Sequence, residues 1–310
     1  MRLSILDQSP VSEGSSGPEA LRNTIDLARL ADELGYHRYW VAEHHGGEML
    51  AGPAPEVLIG PIAAATGRIR VGSGGVMLPH YSPLKVAEAF SLLAGLYPGR
   101  IDLGIGRAPG TDPLTTFALQ RDRREAAPDD FPQQLVELLG YLNGSLPKDF
   151  PFKRLASVLP GLPEKPELWL LGSSHQSAIW AAELSLPYAF ADFINPEGPD
   201  PADIVCVSAI CADTDEEAER LAASGRMAFA MLRMGRPIRV PPVETALRFL
   251  ETRPPPAGRR AVLGSPATVK RGLEDIAKSY DAAEVMVVTI THDHAARRRS
   301  YELIAEAMIE

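Results

Sequence analysis

Three groups of residues carry the types and spacing that chemistry requires. Glu43-His44-His45 follows an apolar run and precedes Gly46-Gly47. An imidazole so placed can hold or move a proton near neutral pH, and the pair can equally be structural. Adjacent residues of a strand point to opposite faces and no second His, Asp or Glu cluster completes a ligand set, so no metal is expected. Gly72-Ser73-Gly74-Gly75 interrupts another apolar run. Glycine there signals a bulge, a strained peptide or close approach of a flat ligand to the backbone, with a simple corner kink as the alternative.

The third group has two parts. Gly104-Ile105-Gly106-Arg107-Ala108-Pro109-Gly110 has the wrong spacing for a dinucleotide-binding loop, and its prolines delay the next helix. Arg107 is instead free to meet an anion. Gly172-Ser173-Ser174-His175-Gln176-Ser177 stands directly before a helical pattern. A helix start with three hydroxyls can seat a phosphate, while Ser174 as an ordinary N-cap is the plainer reading. One phosphate seat, one flat wall and one imidazole together suit a mononucleotide cofactor such as FMN.

The elements that must position these groups alternate along the chain. Strand-like runs occur at Leu3–Leu6, Tyr39–Ala42, Ile69–Ser73 continuing to Leu78, Ile101–Ile105, Leu168–Leu171, Tyr188–Phe193, Ile204–Cys211 and Glu284–Thr289. Helical patterns follow most of them, with Gly35 as a stop, Ser82-Pro83 as a start, and Thr214 with Glu217 as a capping box. Eight such units predict an α/β fold, a closed (β/α)8 TIM barrel over residues 1–310, in preference to an open doubly wound sheet. Residues 213–262, with Pro241-Pro242 and Pro254-Pro255-Pro256, read as a helical, proline-rich insertion between strands seven and eight. Only Asn195 to Ala202 joins strands six and seven, short for a parallel crossover. Either a crossover helix is missing from this stretch or the barrel is locally irregular, and the regularity of the other connections favours the first.

In a barrel of this kind the residues after each strand form the site, which is where all three groups fall. Composition limits the partners. Lys and Arg number 31 against 40 Asp and Glu, a net charge of −9, so attraction to nucleic acid or an anionic membrane is not expected. No apolar run is long enough to span a bilayer and Asp7 comes too early for a signal peptide, so a cytoplasmic location is expected. Cys206 and Cys211, five apart on one strand, face opposite ways and read as two buried thiols.

Four runs, Tyr39-Trp-Val-Ala-Glu-His-His45, Val71-Gly-Ser-Gly-Gly-Val-Met-Leu-Pro79, Tyr97-Pro-Gly-Arg-Ile-Asp-Leu-Gly-Ile-Gly-Arg107 and Trp169-Leu-Leu-Gly-Ser-Ser174, resemble the bacterial luciferase-like flavin-dependent monooxygenases. The resemblance implies a homodimer formed through helices after strands two and three. It also implies reduced FMN supplied by a separate reductase, and O2 activated as a flavin C4a-hydroperoxide that oxygenates a small organic substrate. Position by position, His44 matches the catalytic histidine and Gly74-Gly75 the non-proline cis peptide beneath the flavin ring. Arg107, Ser174 and Ser177 match the phosphate clamp, with Glu43, Ser73, Gly172 and Ser173 placed beside the cofactor. Gly106 stands where the light-emitting members have a reactive cysteine, so light emission is not expected. The mechanism so implied gives His44 a near-neutral pKa for proton transfer, and assigns water exclusion to closure of the loop from Thr111 to Asp130. Ser9, Met77, His80 and Tyr81 are expected to line the substrate pocket. Relatives that transfer hydride with a deazaflavin, and non-catalytic flavin-binding relatives, define the alternatives.

Overall fold

The computed structural model describes residues 1–107, 111–120, 122–125, 129–196, 198, 201–253 and 260–309. Ala108, Pro109 and Gly110 of the Arg107 loop and the Pro254–Pro256 run of the expected insertion lie outside the described residues. The elements in order are β1 (Arg2–Asp7), α1 (Gly17–Leu34), β2 (Arg38–Val41), α2 (Pro55–Ala65), β3 (Arg70–Met77), α3 (Pro83–Leu96) and β4 (Ile101–Gly106). After them come α4 (Pro113–Leu119), α5 (Phe131–Asn143), β5 (Glu167–Gly172), α6 (His175–Leu184), β6 (Tyr188–Ala191) and β7 (Ile204–Cys211). The chain ends with α7 (Asp215–Arg233), α8 (Val243–Thr252), β8 (Ala261–Gly264), α9 (Pro266–Ser279), β9 (Glu284–Val288) and α10 (His294–Met308).

Local chemistry sets the boundaries. Ser16 caps α1 by accepting from the Glu19 N–H at 3.3 Å, and Gly35 ends it in the left-handed region at φ 85°, where a side chain is strained. Thr214 accepts from the Glu217 N–H at 3.2 Å, so the expected cap of α7 forms.

Strands β1 to β7 and β9 pair in parallel and close on themselves, because β7 pairs with both β6 and β9 and β9 with β1. The expected eight-stranded barrel is therefore present. The expected sixth strand is too long by two residues, since Asp192 and Phe193 have already turned out of the sheet. Three elements escaped the sequence reading, helix α9 before the last strand among them. Short strand β8 adds to the upper part of β7 outside the closed ring, through Ser208 opposite Ala261 to Cys211 opposite Gly264, and α4 lies within the long loop after β4. The connection from β6 to β7 contains no helix among its described residues, yet the two strands pair in regular register from Ala189 opposite Ile204 to Ala191 opposite Cys206. The Tyr280 ring at the end of α9 covers this side, with its centroid 5.2 Å from that of Phe190. Its hydroxyl donates to Asp192 at 2.9 Å.

Period-two alternation divides the core. Leu3, Ile5, Tyr39, Val41, Val285 and Val287 face the helices, whereas Leu6, Trp40, Met286 and Val288 fill the interior. The bottom of the interior is ionic. Arg38 donates to Asp102 at 2.8 Å and to Glu284 at 3.1 Å, the Trp40 indole donates to the same Asp102 oxygen at 2.8 Å, and Arg70 pairs with the other. Asp102 is fully buried, so Asp102→Asn leaves two arginines short of a counter-charge. A loss of about 3–5 kcal/mol is expected in urea unfolding, and unchanged unfolding would remove this network as a determinant of the fold.

Candidate active site

At the C-terminal ends of the strands the sequence-predicted residues separate into two clusters. The first surrounds Glu43, which follows β2 and is fully buried. Its oxygens receive the Met77 N–H at 3.0 Å, the Tyr81 hydroxyl at 3.0 Å and the His45 Nε2 at 2.8 Å. His80 stacks edge-on against His45 with centroids 5.8 Å apart. Glu43 thus ties the end of β2 to the end of β3; it was expected beside the cofactor, and its oxygens are instead occupied by protein groups. Burial, reinforced by Glu43, pushes the Tyr81 phenol well above its usual range, so Tyr81 remains a donor to the carboxylate.

His44 stands within this cluster, its backbone N–H donating to the Gly52 carbonyl at 2.9 Å. Its Nδ1 is buried and has no hydrogen-bond partner among the described residues. Burial first, and the charge of His45 second, push its pKa down to about 4. That corrects the near-neutral value expected from the sequence: a ring removed from water cannot easily carry charge. Part of the loop expected to close is already packed here. Thr111 donates to the His45 carbonyl at 2.7 Å, and Thr115 of α4 lies so close to Gly46 that a Cβ there would meet its Oγ1.

The second cluster lines a cavity of about 400 Å³. Gly74, Gly75, Met77, Gly106 and Gly172 form walls with little side chain, and the Gly74–Gly75 peptide is cis. The glycines are also required by the protein itself. A Cβ on Gly74 would lie 2.4 Å from Leu6 Cδ1, and one on Gly75 would lie 2.8 Å from the Gly104 carbonyl oxygen. Ser73 is buried and turned away from the cavity, exchanging hydrogen bonds with the Gly104 backbone at 2.8 and 3.0 Å. It therefore ties β3 to β4, and it is not among the residues that line the cavity.

Arg107, Ser173, Ser174 and Ser177 line the same cavity. Ser174 occupies the N-cap position of α6, but its hydroxyl makes no capping bond and lies 3.3 Å from that of Ser177. The plain capping reading therefore fails, and the first N–H groups of α6 have no side-chain acceptor from this residue. Arg107 lies over the Trp180 ring at 5.6 Å and has no carboxylate partner among the described residues. A guanidinium, hydroxyls and a helix start lining one cavity are groups whose chemistry suits an anion.

Of the four expected pocket residues, only Met77 reaches this cavity. Ser9 is buried and bonded to Thr24 at 2.8 Å, because φ of 50° turns it back onto the Asp7 carboxylate, which accepts from its N–H at 2.7 Å. His80 and Tyr81 belong to the Glu43 cluster. The sequence reading also passed over Trp180, Phe193, Ile194 and Cys206, which line it together with Leu6, Leu171, Ala189 and Ala191. Cys206 follows from alternation with Ile204 along β7, and Phe193 from its place just beyond β6. Both cysteines are buried and unpaired, as expected.

The closed parallel barrel, with its cavities at the C-terminal strand ends, places the chain among the (β/α)8-barrel proteins. More particularly, residues 1–199 match the family model of the luciferase-like monooxygenases, and the chain belongs to that family. It is 41% identical to a luciferase-like monooxygenase of Escherichia coli K12, over 99% of this chain and 97% of that protein. Identity to the N-acetyl-S-alkylcysteine monooxygenase of Bacillus subtilis is 37%, over 100% and 98%. The crystal structure of apo-MsnO8 superposes with a TM-score of 0.89 at 43% identity, covering 99% of this chain and 98% of that one. The oxygenating constituent of 3,6-diketocamphane monooxygenase from Pseudomonas putida, solved with FMN, shares the fold at a TM-score of 0.73 and 21% identity, covering 99% and 97%. No helix among the described residues is long and apolar enough to cross a membrane.

Proposed function

We propose that the protein binds FMN in the glycine-walled cavity and, with the flavin reduced, uses O2 to oxygenate a small organic substrate. The observation that carries this reading is that Arg107, without a carboxylate partner among the described residues, and a helix start whose Ser174 makes no capping bond line the same cavity as the glycine walls and the cis peptide. The residues fit the group: the Arg107 guanidinium and the α6 N–H groups would hold its phosphate, and the walls beside Gly74, Gly75 and Gly106 leave room for a planar ring. Bound reduced FMN supplies two electrons to O2. Trp180, Phe193 and Leu171 exclude water from the cavity, which strengthens every electrostatic contact inside it. His44, neutral at physiological pH, keeps one N–H and one lone pair and so would hold or pass a proton without adding charge.

The absence of dinucleotide spacing around Gly104 and Gly106 supports a separate reductase as the source of reduced FMN. Exposed Val57 on α2 and Leu92 and Leu96 on α3 support a homodimer through these helices. Titration of FMN by flavin fluorescence, followed by oxygen uptake with a flavin reductase and NADH, tests the proposal. Saturable FMN binding with substrate-dependent turnover is expected; a preference for a deazaflavin, with no oxygen uptake, would transfer the assignment to hydride transfer.

A further inference from the structure

Resting on the flavin reading above, we infer that a second cavity at the barrel mouth is the substrate pocket and that it selects an organic acid, an apolar body bearing one carboxylate. This cavity measures about 480 Å³ and shares Phe193 with the first. The inward face of β7 runs through both: Cys206 lines the first cavity, Ser208 and Ile210 the second. Residues two apart on a strand stand on the same face roughly 7 Å apart, so a molecule in the second cavity lies directly against whatever fills the first.

Among the described residues, the second cavity's lining combines Phe193, Ile210, Phe229, Leu263, Val288 and Ile290 with three arginines and one carboxylate. In a chain of net charge −9, that local excess of positive charge calls for an explanation. Glu219, Arg226 and Arg233 recur every seven residues, two turns apart on one face of α7. Glu219 pairs with Arg226 at 2.6 Å, and Arg260 pairs with the buried Asp192. Arg233 has no carboxylate partner among the described residues. A carboxylate entering along the apolar wall meets Arg233 with its donors unspent and competes with Glu219 for Arg226. An uncharged molecule of the same shape gains only the apolar contact.

The test is isothermal titration of the full chain, without flavin, using octanoate and 1-octanol as probes. Octanoate is expected to bind about tenfold more tightly than octanol. Arg226→Gln and Arg233→Gln should each weaken octanoate about fivefold and leave octanol unchanged, while Arg233→Lys restores most of the affinity. Glu219→Gln, which releases Arg226, should tighten octanoate several-fold, an effect that a merely structural arginine would not produce. FMN affinity, measured on the same variants, reads the first cavity and should stay constant. Equal binding of acid and alcohol, or octanoate affinity indifferent to all four substitutions, overturns the inference. Failure of the wild type to bind FMN, with the octanoate pattern intact, supports the acid pocket and overturns the flavin assignment instead.

Discussion

His44→Ala is expected to lower substrate oxygenation by about a hundredfold or more while FMN affinity changes less than about twofold. The two readouts part because His44 belongs to the Glu43 cluster, whereas the proposed anion seat lies at Arg107 and the start of α6. Its main-chain bond to Gly52 and the packing of Thr111 and Thr115 on its neighbours fix the backbone here, and those supports survive loss of the side chain. Because burial and the His45 charge hold the imidazole near a pKa of about 4, the ring is neutral from pH 6 upward. Wild-type activity should therefore show no inflection from this residue between pH 6 and 9.

Stability carries the opposite limb. A histidine whose folded pKa lies below its unfolded value of about 6.5 binds fewer protons folded than unfolded in the acid range, so its contribution is full above pH 6.5 and is lost as pH falls toward 4. The loss amounts to roughly 3 kcal/mol at its limit. His44→Ala should be the less acid-sensitive protein in urea titrations at pH 7 and pH 4, and equal pH sensitivity of the two would sink the buried-imidazole account. Oxygenation by the variant at the wild-type rate would remove His44 from the chemistry.

Much of this arrangement was legible because local chemistry expresses it. Parallel strands buried on both faces read as short apolar runs, so all eight barrel strands were found within two residues at either end. Strand β8 was not, since Ala261–Gly264 is short and pairs only with the projecting end of β7, beyond the ring that sets the pattern. The site was legible in residue type and less so in direction. Arg107 and Ser174 reach the cavity because they sit where the chain leaves β4 and enters α6. Ser9 leaves it because its positive φ reverses the chain, which no spacing announces. Glu43 and Ser73 were read as cofactor contacts, yet both spend their oxygens on neighbouring strands. Which side of a strand end holds a ligand depends on pairing partners distant in sequence. The glycines show the same ambiguity: Gly72 is needed because a Cβ would meet the Asp102 carbonyl oxygen at 2.6 Å, an interior constraint that looks identical, in sequence, to a ligand's wall.

Arg107→Ala is expected to weaken FMN binding by roughly tenfold or more, the value of one charge-assisted contact to a phosphate, and riboflavin separates the cause. Riboflavin lacks the phosphate, so if Arg107 acts on the anion its affinity for riboflavin should be unchanged by the substitution. If Arg107 instead serves the cavity by covering Trp180, over whose ring it lies at 5.6 Å, both ligands should weaken together. Salt sharpens the distinction. The guanidinium is exposed, so raising ionic strength screens it, and wild-type affinity for FMN should fall toward that of the variant while riboflavin stays level. The contribution of the α6 N–H groups persists in both proteins, which is why the variant retains measurable FMN binding. Loss of FMN and riboflavin binding in parallel would place the effect in the wall of the cavity and leave the phosphate without its proposed counter-charge.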